Sequence, residues 1–143
     1  MANYCCATRT NYFKVKNEKK FLDFMNNVQG SEDNIQIWTK ELNGIKYFAF
    51  GCYGGIAGWN DTDDEDYDWD NAYDFFVDGL GRLVADDDAI IIFESGNEKL
   101  RYLRGDAMII TNKGTVYVNI NDVATRKASE LLANPKWSTM VAC

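Results

Sequence analysis

The sequence predicts an α+β fold, one mostly antiparallel sheet with helices packed on one face. Three observations carry that expectation. Short β-rich runs recur along the chain, Asn-Gly and Asn-Lys-Gly turns separate several of them, and three segments repeat apolar residues at helical spacing. The expected element order is ferredoxin-like, β-α-β-β-α-β, followed by extra strands and a C-terminal helix. With 143 residues and 46% apolar composition, residues 1–143 are expected to form a single domain.

Arg9 to Lys16 (RTNYFKVK) is expected as the first strand, its apolar Tyr12, Phe13 and Val15 set among polar residues. Asn17 is placed to cap a helix in which Phe21, Leu22, Phe24, Met25 and Val28 line one side, with Gly30 as the stop. Ile35 to Thr39 alternates as a second strand. Asn43-Gly44 then turns the chain into a third, Ile45 to Tyr53. Gly54, Gly55 and Gly58 suggest a pliable loop. A phosphate cradle is disfavoured, because no Lys-Ser/Thr follows and acids come directly after.

A second helix is expected from about Asp70, since Ala72, Phe76, Leu80 and Leu83 fall at i, i+4, i+8 and i+11. Asp88 to Phe93 is a buried strand and Gly96-Asn97 a turn. Strands are expected at Leu100 to Leu103, Ala107 to Thr111 and Thr115 to Ile120. Asn121 or Asp122 would cap a last helix running to Leu132. Pro135 ends it, and a short tail follows.

The charge is unevenly spread. Residues 61–94 hold thirteen acids against one base, Arg82, while the rest of the chain holds nine acids against fourteen bases. The densest part is Asp61 to Asp78, DTDDEDYDWDNAYDFFVD, within an acidic loop-helix at about 59–84. If a helix starts near Asp70, then Asp70, Asp74 and Asp78 share its solvent face. Asp86, Asp87 and Asp88 sit where they could extend that field. The acidic side should repel nucleic acid and attract a basic partner.

Other chemistries fit less well. The chain has no histidine, which removes the usual general base and the Ser–His and Cys–His pairs. Four cysteines form no CxxC pair, so no zinc or thioredoxin-like site is indicated; Cys52 is expected to be buried and Cys143 to lie on a loose tail. A calcium loop starting at Asp61 meets Asp66 where glycine is needed and Ala72 where glutamate is needed, and starts at Asp64 or Asp66 fail likewise. The catalytic alternative is a carboxylate pair, Glu94 and Glu98, beside Lys99 and Arg101. The basic residues form no aromatic-interleaved stripe, so direct nucleic-acid binding is disfavoured. No cofactor and no metal are expected. No apolar stretch is long enough for a membrane span or a signal peptide, and a cytoplasmic protein is expected.

The candidate partner-binding residues are therefore Trp59, Asp61, Asp63, Asp64, Glu65, Asp66, Tyr67, Asp68, Trp69, Asp70, Asp74 and Asp78. The carboxylates would supply charge and Trp59, Tyr67 and Trp69 contact area, while Phe75, Phe76 and Leu80 are expected in the core. A folded array of carboxylates can occupy a groove built for a duplex, which carries a charge about every 1.7 Å of axis. The competing reading is a structural or regulatory interaction module whose acidic face only confers solubility.

The stretches MANYCCATRTNYFKVK, FESGNEKLRYLRGDAMIIT and ELLANPKW resemble small acidic proteins carried by mobile elements and phages of Gram-positive bacteria. That resemblance transfers no catalytic residue. It implies a setting in which small acidic proteins are often antirestriction or anti-CRISPR inhibitors of host defence nucleases, several of them similar to DNA in charge.

Overall fold

A computed structural model of the chain describes residues 4–60 and 69–138, and of residues 69, 101 and 102 the backbone alone. Eight strands and three α-helices follow one another in an α+β arrangement. They are β1 (Cys5–Thr10), α1 (Glu18–Met25), β2 (Val28–Gly30), β3 (Gln36–Leu42), β4 (Ile45–Tyr53) and β5 (Ile56–Trp59). A single 3-10 turn (Trp69–Asn71) leads into α2 (Ala72–Leu83). β6 (Ile90–Glu98), β7 (Arg101–Thr111), β8 (Gly114–Asn119) and α3 (Ile120–Leu131) complete the chain.

Six strands form one antiparallel sheet in the order β3-β4-β1-β6-β7-β8, and β2 pairs with β5 in a separate two-stranded sheet. The expected β-α-β-β-α-β order is corrected on this point, because β2 and β5 interpose. Val28, expected on the helix α1, instead pairs with Trp59. The glycine-rich stretch expected as a pliable loop is β5 and its approach. Gly58 has φ +144, and a Cβ there would come within 2.5 Å of the Ala72 backbone. Only glycine lets β5 run this close under the start of α2.

Two further boundaries move. Arg9 to Lys16 was expected as the first strand, but β1 covers Cys5–Thr10, and Phe13 and Val15 make only isolated bridges to Phe48 and Val84. Gly96-Asn97, expected as a turn, lies within β6. The hairpin instead reverses at Lys99 and Leu100, with Lys99 at φ 56, so that β6 and β7 form one long ribbon. Asn17 caps α1 as expected, its side chain accepting from the Lys20 N–H at 2.9 Å. α3 is capped two to three residues earlier than expected, by Asn119, which accepts from the N–H groups of Asn121 and Asp122.

The apolar core lies between one face of the sheet and the helices α1 and α2. Phe13, Phe21, Phe48, Phe50, Phe76, Leu80, Val84, Ile90 and Ile110 are all essentially inaccessible to solvent. Their rings meet edge to face, Phe13 with Phe21 at 5.6 Å and with Phe50 at 6.0 Å between centroids. Each such side chain contributes roughly 1.5–3 kcal/mol of transfer free energy. Cys52 is buried in this layer as expected. α3 lies beside β7 and β8, buries none of its residues, and sets Ile120 against Gly105. Among the described residues, no helix is long and apolar enough to cross a membrane.

Gly58→Ala is expected to lower the unfolding free energy by about 1–3 kcal/mol, through collision with Ala72 and an unfavourable φ. Gly44→Ala, where a Cβ meets open space, would isolate the cost of the φ alone. Urea melts of the two variants check this.

Candidate functional site

The acidic helix exists as expected. On α2 the residues Ala72, Phe76, Val77 and Leu80 are buried, while Asp70, Asp74 and Asp78 are exposed. Phe75, expected in the core with Phe76 and Leu80, is instead 39% exposed. Among the described residues no lysine or arginine pairs with Asp70, Asp74 or Asp78. These three carboxylates form a ridge of like charge, a small standing cost that the fold tolerates.

The far end of the helix behaves differently. Asp86, Asp87 and Asp88 do not extend the field. Asp86 faces Lys16 Nζ at 3.1 Å, Asp87 faces Lys14 Nζ at 2.9 Å, and Asp88 accepts from the backbone N–H of Lys14 and of Ala89. The Lys14 ammonium holds the Asp87 carboxyl below its usual range, and Asp87 in turn raises Lys14. This triplet fastens the segment after β1 to the loop before β6.

Of the other candidate contact residues, Asp61, Asp63, Asp64, Glu65, Asp66, Tyr67 and Asp68 lie outside the described residues, as does Cys143. Trp69 begins the 3-10 turn. Trp59, a candidate contact residue, is half-buried and stacks on Phe24, with centroids 6.0 Å apart and planes 13° from parallel.

A second constellation lies on the inner face of the sheet and was only half anticipated. Register brings Cys52, Thr8, Glu94, Asp106 and Asn119 into one cross-strand row over β4, β1, β6, β7 and β8. Arg104, one inward position along β7, binds the Asp106 carboxylate through Nε and reaches Glu94 Oε2 at 3.5 Å. Asn119 donates to Asp106 Oδ1 at 2.9 Å, so both Asp106 oxygens are bonded. Tyr4 donates its hydroxyl to Glu94 Oε2 at 3.3 Å. Gly96 makes that possible, since a Cβ there would fall 2.5 Å from the Tyr4 hydroxyl.

Glu98, the partner of Glu94 in the catalytic alternative, is buried four residues further along β6 and faces Arg101 in register, away from the Glu94–Arg104–Asp106 cluster. Asp106 and Arg104 were the residues sequence reasoning missed. Their signal was the inward period of two through Ile90, Ile92 and Glu94 on β6 and through Ile110, Met108 and Asp106 on β7.

Thr8, Ile56, Tyr73, Ile92, Glu94, Arg104, Asp106, Met108 and Tyr117 enclose a cavity of about 70 Å³. Its electrostatics are set by burial and by Glu94. Burial first, then Glu94, pushes the Tyr4 hydroxyl up to about 12 from 10.0 and raises Tyr73 and the Cys6 thiol. Cys52 is raised by burial, then by Asp33 and Glu94. The hydrogen bond to Asp106 chiefly raises Arg104. Tyr4, Tyr73, Cys6 and Cys52 therefore remain neutral at pH 7, and the cysteines gain no thiolate character. Among the described residues no group of His, Cys, Asp and Glu is arranged to hold a metal ion.

Compared with protein-family models, with curated proteins and with solved structures, the chain matches none.

Two outcomes are expected here. Arg104→Met leaves the Asp106 carboxylate buried without its cation and should cost about 2–3 kcal/mol in a denaturant melt. The folded state holds the Tyr4 proton more tightly than the unfolded chain does. That stabilisation is complete below pH 10.0 and fades as the pH rises towards about 12. In an ultraviolet titration of phenolate, Tyr4→Phe should lack a transition near pH 12.

Proposed function

We propose that the chain is a non-enzymatic inhibitor that presents a nucleic-acid-mimicking acidic surface to the basic groove of a host defence nuclease, of CRISPR or restriction type, in the cytoplasm. The observation that carries this reading is the contrast along one helix. Asp70, Asp74 and Asp78 are exposed and pair with no lysine or arginine among the described residues, whereas Asp86, Asp87 and Asp88 beyond its end are bonded within the fold. Charge kept only for solubility has no reason to line up on one face of the helix that follows the acidic run 61–68 in sequence.

Carboxylates fixed on a helix lose little side-chain freedom when they pair with arginine, and such charge-assisted bonds are among the stronger polar contacts. The resemblance of MANYCCATRTNYFKVK, FESGNEKLRYLRGDAMIIT and ELLANPKW to small acidic proteins of mobile elements agrees with this setting. The missing histidine and the neutral Cys6 and Cys52 weigh against catalysis.

The test is competition with duplex DNA for a purified restriction endonuclease or CRISPR nuclease. The wild-type chain is expected to displace the DNA. Replacing Asp70, Asp74 and Asp78 together by Asn should weaken that displacement by about a hundredfold, with circular dichroism unchanged. A triple variant that competes as well as the wild type would remove the reading.

A further inference from the structure

The cavity under Tyr73 is unlike the rest of the inner face. Over α1 and α2 the sheet is apolar; here it presents Glu94, Arg104 and Asp106 in a space closed by two tyrosines. The charges do not cancel. Among the described residues Arg104 is the one cation paired with these two carboxylates, and Tyr4, Tyr73, Cys6 and Cys52 around them are neutral at pH 7. Glu32 and Asp33, on the loop between β2 and β3, add negative field from the other side, where they act on Cys6 and Cys52. The surroundings are therefore anionic.

The bonding is also uneven. Asp106 is nearly inaccessible, and its two oxygens are taken by Arg104 and Asn119. Glu94 keeps 23% of its side chain open, and both its contacts, Tyr4 and Arg104, fall on Oε2. Among the described residues no donor reaches Oε1, which lies beside Gly55, 3.3 Å from where a Cβ would stand. Glu94 thus lines the cavity with one carboxylate oxygen that no described donor engages, in surroundings with negative charge to spare. Tyr73 and Tyr117 are among its walls, and aromatic rings are the side chains on which a planar cation stacks. At about 70 Å³, against the ~30 Å³ that a water occupies in the liquid, the space suits a group of a few heavy atoms. A sugar, a base or a nucleotide is too large.

We propose that this cavity is a guanidinium-binding pocket that receives an arginine side chain of the partner, with Glu94 Oε1 as acceptor and Tyr73 and Tyr117 as walls. Tyr73 belongs to α2 and stands between Asp70 and Asp74 in sequence, so one wall of the pocket is built on the helix that carries the acidic ridge. The ridge would draw a basic surface in and the pocket would fix one arginine of it. The identity of the carrier rests on the proposed acidic interaction face; the pocket's preference for a guanidinium does not.

The experiment titrates the intact chain with methylguanidinium and, separately, with the neutral isostere methylurea, following amide shifts by NMR. Saturable shifts at Thr8, Tyr73, Glu94 and Tyr117 with methylguanidinium, and none with methylurea, are expected. Glu94→Gln, an isosteric change, should weaken that response about tenfold. Equal responses to the two compounds, shifts confined to Asp70–Asp78, or a Glu94→Gln variant that binds as well as the wild type would each overturn the pocket. An arginine-bearing peptide and its citrulline analogue then separate a protein side chain from a free small cation. Discrimination between them supports the arginine assignment, and its absence overturns it. The Asp70, Asp74 and Asp78 triple Asn variant keeps the failures apart, since it should still bind methylguanidinium even where it no longer competes with DNA.

Discussion

The rest of the structure depends on one buried interaction, the pairing of the Asp106 carboxylate with Arg104 and Asn119 on the inner face of the sheet. A carboxylate this deep is stable only with its oxygens bonded, because an unpaired charge in such a position costs several kcal/mol. The β6–β7 hairpin supplies the cation from its own second strand, and β8 supplies the amide that completes the set. The cluster divides the sheet. One half carries Phe48, Phe50, Ile90 and Ile110 under two amphipathic helices; the other carries the polar row and is roofed by Tyr4, β5 and Tyr73.

Helix α2 joins the two halves. Phe76 and Leu80 seat it in the apolar half, Tyr73 roofs the polar half, and Asp74 and Asp78 turn to solvent. Its position is fixed from below by β5, which passes close to Ala72 because residue 58 has no side chain. The acidic ridge is therefore held on a rigid element, and a charge pattern must be fixed in space if it is to imitate another polymer. The carboxylates after the helix do different work, tying Lys14 and Lys16 to the opposite loop. Being exposed ion pairs, they contribute little stability individually.

Much of this was legible in the sequence where apolar period and turn chemistry agree. The α2 segment declared itself through Ala72, Phe76 and Leu80, and Asn43-Gly44 marked the β3–β4 hairpin with Gly44 at φ 77. The inward polar row was not legible, because Cys6, Thr8 and Thr10 give β1 no apolar alternation, and the apolar residues that suggest a strand, Tyr12, Phe13 and Val15, lie beyond its end. Gly96-Asn97 has the composition of a turn, yet Gly96 serves a different need, leaving room for Tyr4 over the sheet. The glycines around β5 likewise mark close approach rather than slackness. Charge density was readable from composition. Which carboxylates are already paired depends on Lys14 and Lys16, seventy or more residues away in the chain, and only the fold brings them together.

The most direct measurement is the salt dependence of association between the chain and an arginine-rich peptide. Screening shortens the Debye length from about 10 Å at 0.1 M to about 3 Å at 1 M. An unpaired acidic surface that engages a basic partner should lose affinity steeply over that range. An affinity that stays flat across the range would contradict an electrostatic role for the α2 face.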